Sequence, residues 1–400
     1  MKGYTAVLPN GEAMIYIDHK RWLWILSVLY PLQPFLGIWM HWMTGSEVLL
    51  LLPLAINYAI GPLLDWVLGE DRNNPPEEVA MQLSQDRYYR WLTYVTVPLH
   101  YVTLIAVAAY ATSQELSLWG VLALAVVAGL TAGLAINTGH ELGHKNSKIE
   151  KLLAKVVLAV PGYGHFTIDH NLGHHRNVST PGDPASARMG ESIYKFALRE
   201  VPGAYSEAWA IEKDRLQRRG KPSWHPSNQI LQSYLLTALL IIALIAAFGW
   251  IMLPFMLVHN LFAYWQLTSA NYVEHYGLLR QIDENGKYER CEPHHSWNSN
   301  HIVSNLLLFH LERHSDHHAN PLRRYQALRH FDDAPQLPNG YFGAYLLAYI
   351  PRLWFRVMDK RLLRLPHVQG DLDKVNIDPD ARASIFLRFG QAKMREPTLS

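Results

Sequence analysis

Charged residues are spread unevenly along this chain: long windows without Asp, Glu, Lys or Arg alternate with polar stretches. A helix rises about 1.5 Å per residue, so roughly 20 apolar residues cross a hydrocarbon core about 30 Å thick. Windows 22–46, 91–114 and 116–140 are charge-free and long enough for one span each, and the shorter window 48–64 is extended by Trp66, Val67 and Leu68. From Pro222 to Val273 no charge occurs. That stretch is too long for one crossing and must fold back, with a turn at Phe248-Gly249-Trp250 where glycine tolerates a tight reversal. The pattern predicts six spans, about 22–42, 48–68, 91–112, 117–139, 230–248 and 251–273. Two further apolar runs, 156–168 and Tyr341 to Ile350, are too short to span and are expected to be interfacial or re-entrant.

Six spans put both termini on one side, and the basic residues test that arrangement. None falls in 22–64, 91–141 or 222–273, so all 36 Lys and Arg lie in segments that this topology assigns to the cytoplasm. The expected architecture is an all-α integral membrane protein, one catalytic domain over 1–400. Segments 141–221 and 274–400 would build a cytoplasmic, histidine-rich cap. The first 21 residues are too polar for a signal peptide. Composition fits a membrane protein, with 49% hydrophobic, 12% aromatic and 18% charged residues, and the mean hydropathy of −0.05 averages two unlike kinds of segment. A net charge of +2 gives no field that would argue for nucleic acid. Cys291 is the one cysteine, so the chain cannot supply the thiolates of an iron–sulfur, rubredoxin-type or zinc-ribbon centre, and any such electron carrier is another protein.

The 21 histidines are grouped. His140 and His144 lie in HELGHK at the end of the fourth span, where a spacing of four puts both rings on one helical face. His170, His174 and His175 follow in HNLGHH with the same spacing plus a neighbour; His275 closes the sixth span in NYVEHYG; His314, His317 and His318 occur in ERHSDHH, whose spacing of three also suits one face. The topology, built without histidines, puts all four groups on one side of the membrane. Neutral imidazole binds zinc, copper, iron or nickel, so spacing announces a metal site without naming the metal. Nine ligands exceed what one ion takes, and two ions is the economical count.

Two rival readings compete. HELGH matches H-E-x-x-H, as in a zinc metalloprotease with Glu141 as general base and Asp183 of TPGDP as third ligand, but that leaves the other groups without a task. A metal transporter would place acids or histidines midway along several spans; only His100 and His259 are so placed, and no acid is.

HELGH, HNLGHH and HSDHH resemble the histidine boxes of membrane desaturases and hydroxylases, and NYVEHYG is similar to the alkane 1-monooxygenases among them. The resemblance extends through NNPPEEV, PGDPASARMGESIYKF and HHSWNSNHIVSN. It implies that His140, His144, His170, His174, His175, His275, His314, His317 and His318 ligate two irons, in a bacterial inner membrane, with alkane and dioxygen as substrates and a primary alcohol as product. No nucleotide or haem is expected in this chain. Electrons would come from rubredoxin in trans, itself reduced by an NADH-dependent rubredoxin reductase. A sibling fatty-acyl desaturase or hydroxylase with the same boxes is the alternative.

Acids beside the boxes, Glu141, Asp169, Glu274, Glu312 and Asp316, are candidates to orient the imidazoles. His165 and His310 are left outside the ligand set. An alkane would enter from the bilayer into a blind slot; Asn57 and Tyr58 draw attention there, though a helix–helix hydrogen bond explains them as well. Lys213, Arg215, Arg218, Arg219 and Lys221, or Lys145, Lys148, Lys151 and Lys155, are candidate docks for an acidic rubredoxin.

Overall fold

In the computed structural model, residues 2–7 and 11–390 are described. Met1 and segment 391–400, on which the expected placement of the two chain ends and the last part of the cap rest, lie outside the described residues.

The chain opens with a hairpin, β1 (Gly3–Val7) paired antiparallel with β2 (Ala13–Ile17), so the all-α expectation needs amending there. Tyr4 pins it to the helices by donating to Asp86 Oδ2 at 2.6 Å, the oxygen that also meets Arg21 Nη1 at 2.8 Å. The first apolar window is not the continuous helix expected over 22–42. It breaks into a helical turn Ile25–Leu29, a 3-10 turn Tyr30–Leu32 and α1 (Pro34–Thr44). Pro31 and Pro34 explain the break, because proline has no N–H to donate and its ring clashes with the preceding turn.

Next come α2 (Glu47–Leu68), α3 (Glu77–Gln85), α4 (Arg87–Ser113), α5 (Leu118–Gly143), α6 (Lys148–Leu158), α7 (Ile193–Gln217), α8 (Gln229–Phe248) and α9 (Met252–His275). Side chains set several starts: Asp86 accepts from Tyr88 N–H, Ser117 from Gly120 N–H, and Asn228 from Ile230 and Leu231 N–H. Gly249 makes the reversal between α8 and α9 at φ 86°, where the sequence placed it. Among the described residues, four helices, α2, α4, α5 and α8, are long and apolar enough to cross a membrane.

α5 and α9 form the central pair. A Cβ on Gly129 would run into the His259 carbonyl and come within 2.8 Å of Phe262 Cβ, and one on Gly133 would lie 2.6 Å from Gln266 Cβ. Two glycines four apart thus let the backbones approach. Beyond the helices, the polar segments carry α10 (His314–Ala319), α11 (Tyr341–Ala348) and α12 (Pro351–Leu363). The run from Tyr341, expected at an interface, instead packs inside: Tyr341, Phe342 and Tyr345 are buried in the main core with Tyr272, Tyr276 and Trp354. Run 156–168 ends α6 and turns through Gly162, also largely buried.

Candidate metal centre

The nine box histidines reach the site from four elements. His140 and His144 end α5, and His170, His174 and His175 sit on a π-helical turn, Asp169–His174, and the residue after it. His275 ends α9, while α10 carries His314, His317 and His318. They converge as two adjoining groups, His140, His144, His170, His175 and His317 in one and His174, His275, His314 and His318 in the other. The rings of His175 and His318 lie 4.3 Å apart across the boundary.

The grouping departs from the expected face-sharing in two places. His170 pairs with His175, not His174, because the turn is π-helical: His175 N–H bonds the His170 carbonyl five residues back, and the wider turn aligns residues five apart. His314 pairs with His318 at helical spacing of four, and His317 swings to the other group. Each adjacent pair, 174–175 and 317–318, therefore serves both groups.

The ring nitrogens suit cations. Nε2 of His140 lies 2.7 Å from that of His317, and His175 Nε2 lies 3.1 Å from both His170 and His317. In the second group, His314 Nε2 is 3.3 Å from His275 Nε2 and 2.9 Å from His318 Nε2. Nitrogens about 2.1 Å from a common centre stand roughly 3 Å apart. The Nε2 atoms of His144 and His174 are buried with no hydrogen-bond partner, a cost that a bound ion removes.

Carboxylates meet these rings at two points. His174 Nδ1 lies 2.9 Å from Asp183 Oδ2, both side chains buried, which turns Nε2 toward the group. Burial opposes charge on His174, but Asp183 outweighs it and the ring's pKa is raised; burial likewise opposes ionisation of Asp183, and His174 with Ser186 holds its carboxyl below the usual range. Glu274 Oε2 lies 3.3 Å from His314 Nε2, while its Oε1 accepts the Tyr341 hydroxyl at 2.7 Å. The other acids bond elsewhere. Glu141 pairs with Lys145 at 3.2 Å, Glu312 accepts from Tyr341 N–H, and Asp316 accepts from Asn320, Arg323 and Arg329 N–H. Burial raises Asp169 and Asp316, and pushes Glu312 up to about 8. Asp183 is thus an orienting carboxylate that sequence reasoning placed in another role; its signal was a lone acid in the tight TPGDP turn. With Glu141 held by Lys145 and Asp183 by His174 and Ser186, the H-E-x-x-H reading loses both its base and its third ligand.

His165 and His310 stand apart: His165 Nδ1 lies 2.8 Å from the Tyr234 hydroxyl, and His310 Nδ1 bonds the Tyr325 carbonyl at 3.0 Å. His100 and His259 are buried in a small enclosure between helices, away from both groups.

A narrow apolar cavity ends at His140, His170, His314 and Glu274; Tyr30, Leu130, Leu134, Phe342 and Tyr345 are among its walls. Asn57 is outside it, donating to Gln33 Oε1 at 2.6 Å. Tyr58 donates to Gln266 Oε1 at 2.8 Å and so steadies one wall residue. The aromatic walls had no signal in sequence.

Long apolar helices, a buried all-imidazole double cluster and an apolar cavity define a membrane metalloprotein. The sequence model of the fatty acid desaturase family matches residues 117–350. The chain is 55% identical over 376 residues to alkane 1-monooxygenase of Ectopseudomonas oleovorans, covering 94% of this chain and 93% of that one. It is 53% identical over 383 residues to alkane 1-monooxygenase 1 of Alcanivorax borkumensis, covering 96% and 94%. The xylene/toluene monooxygenase hydroxylase component of Pseudomonas putida is 30% identical over 254 residues, covering 63% and 66%. The chain belongs to the fatty acid desaturase family, in its alkane 1-monooxygenase branch.

Proposed function

We propose that this chain hydroxylates the terminal methyl of alkanes to primary alcohols, using dioxygen and electrons from rubredoxin, at two non-haem irons held by the nine histidines. The observation that carries this reading is the meeting of a five- and a four-histidine group at the head of an apolar cavity. A terminal C–H bond offers no charge or lone pair to an acid, base or nucleophile, so the bound irons would supply dioxygen activation and C–H oxidation. The chain's own residues do the placing. Tyr30, Leu134, Phe342 and Tyr345 exclude water and align the alkane end-on toward His140 and His170. Glu274 Oε2 is the position where a carboxyl beside His314 holds or yields a proton, with Tyr341 fixing its other oxygen.

Six crossings remain the favoured topology. The broken segment 22–44 turns Trp39 and Trp42 outward, and α9 exposes Leu253, Leu257 and Leu261 along one stripe, as lipid-facing helices do. Together with the distribution of Lys and Arg this supports a cytoplasmic cap, both ends inside, in a bacterial inner membrane. For rubredoxin, a concave surface of Arg176, Arg215, Arg218 and Arg219 adjoins exposed Leu172 on the His170–His174 turn. The Lys145 set is the weaker dock, because Lys145 is buried against Glu141.

The test is metal content and product identity on detergent-purified protein with rubredoxin, its reductase and NADH. About two irons per chain and a 1-alkanol carrying oxygen from labelled dioxygen are expected. An unlabelled alkene would point to a desaturase, and an aromatic methyl hydroxylated in preference to an alkane would move the substrate toward that of the xylene/toluene relative. Reversing Arg218 and Arg219 to Glu should raise KM for rubredoxin at low salt and matter less at high salt.

A further inference from the structure

Three side-chain amides interrupt the apolar cavity wall, Asn137 on α5 and Gln266 and Asn271 on α9. The helix pair brings them together. Gly133 lies against Gln266, so one turn further along both helices Asn137 comes level with Ala270 and Asn271. Each amide is tied at one end. Asn137 Nδ2 donates to the Leu308 carbonyl at 2.7 Å, and a carbonyl can only accept, so Oδ1 is the end that remains. Asn271 Nδ2 donates at 3.1 Å to Glu200 Oε1, a carboxylate whose other oxygen accepts the Thr268 hydroxyl. Gln266 is set the other way: its Oε1 accepts the Tyr58 hydroxyl, leaving N–H. Among the described residues neither asparagine oxygen accepts a hydrogen bond, although the two side chains belong to residues only 8% and 7% exposed. A buried amide oxygen without a donor is costly, and a ligand that supplies the donor removes that cost.

We propose that Asn137 and Asn271 form a hydroxyl-receiving subsite, which holds the product alcohol by accepting its O–H. The subsite rests on the reading of this cavity as the alkane site. An alkane has neither a proton to donate nor a lone pair, so these amides gain nothing from substrate. A primary alcohol has one O–H for an asparagine oxygen and lone pairs that Gln266 N–H can meet. Glu274 is the less available acceptor, because its Oε1 accepts the Tyr341 hydroxyl and its Oε2 faces His314.

Position gives the subsite its use. Asn137 stands three residues before His140, about 4.5 Å of helix rise, and Asn271 stands four before His275. A hydroxyl formed beside the box histidines therefore finds its acceptors one turn back along the cavity, and the alcohol is drawn off the place where it formed. A pocket that pairs an O–H also discriminates against ligands that lack one.

The experiment uses the full chain in detergent without rubredoxin, so that nothing turns over. Binding of labelled 1-decanol, decane and methyl nonyl ether is measured above that held by empty micelles; the ether is an isomer of the alcohol whose oxygen carries no proton. Wild type should prefer 1-decanol to the ether. Asn137→Leu/Asn271→Leu should lower the ratio of 1-decanol to decane affinity roughly fivefold, the worth of about one neutral hydrogen bond. Micelle partition cancels when that ratio is compared with wild type, and a merely distorted cavity weakens both ligands together. If the double variant does not fold, the two single changes decide: a lowered ratio in either supports the subsite. An unchanged ratio, or equal binding of alcohol and ether by wild type, overturns the subsite while decane binding keeps the alkane reading. If wild type holds no decane above empty micelles, the alkane reading falls and the subsite with it.

Discussion

Asp183→Asn is the sharpest test of the centre, because it exchanges one heavy atom and leaves the shape. Asp183 Oδ2 meets His174 Nδ1 at 2.9 Å and accepts Ser186 Oγ at 2.6 Å, while Oδ1 accepts Ala185 N–H at 3.1 Å. An amide can be placed two ways here. With its NH₂ toward His174, it donates to Nδ1 and drives the ring proton onto Nε2, the atom needed for an ion. With its oxygen toward His174, NH₂ faces the Ala185 N–H, and a buried donor is left unpaired at about 1–3 kcal/mol. Either placement also removes a charge-assisted bond worth roughly 1.5–3 kcal/mol. The two estimates agree with the roughly 10–100-fold loss of metal affinity that follows removal of a ligand's hydrogen-bond partner, about 1.4–2.7 kcal/mol. The assay is retention of bound metal against a graded chelator in detergent, with circular dichroism as the folding control. Metal held by the four-histidine group should leave at a chelator concentration at least about tenfold lower, with the five-histidine group less affected. An unchanged metal-release curve would refute the reasoning.

Other consequences follow from the same contacts. Gly129→Ala places a methyl against the His259 carbonyl, which is backbone and cannot swing aside, so α5 and α9 must separate at a cost of roughly 1–3 kcal/mol, read as a fall in Tm. Phe342→Leu opens the cavity wall and should shift preference toward longer alkanes in a mixed-substrate competition; an unchanged product profile would remove this cavity as the alkane site. Asp359 is 2% exposed, accepts the Tyr276 hydroxyl at 2.8 Å, and is raised by burial from 3.8 to about 6. Folding therefore takes up a proton between those values, and the ionisation cost appears as pH rises through that window, reaching about 3 kcal/mol at neutral pH. Asp359→Asn should consequently be more stable than wild type at pH 7.5 and lose that advantage near pH 4, measured by thermal unfolding; a lower Tm at pH 7.5 would contradict this.

Several features were legible from residues alone because they depend on short-range chemistry. Charge-free windows located α2, α4, α5 and α8, since span length follows from helix rise, and Gly249 marked the reversal because few other residues adopt its φ. The nine histidines were legible as a set. The break at Pro31 and Pro34 was in principle readable, but hydrophobicity alone hides it, as an apolar window looks the same whether its backbone is continuous or interrupted.

The sequence by itself determined which imidazoles exist, their spacing, and that long apolar helices carry two of the groups. Only the tertiary structure decided how five and four of them divide. That division depends on a π-helical turn that aligns His170 with His175 and on α10 delivering His317 and His318 to opposite groups. It likewise decided that Asp183 meets His174 and that Tyr30, Phe342 and Tyr345, far apart in the chain, share one cavity. Such contacts join segments with no local relationship, so they follow from packing and leave no periodicity in the chain.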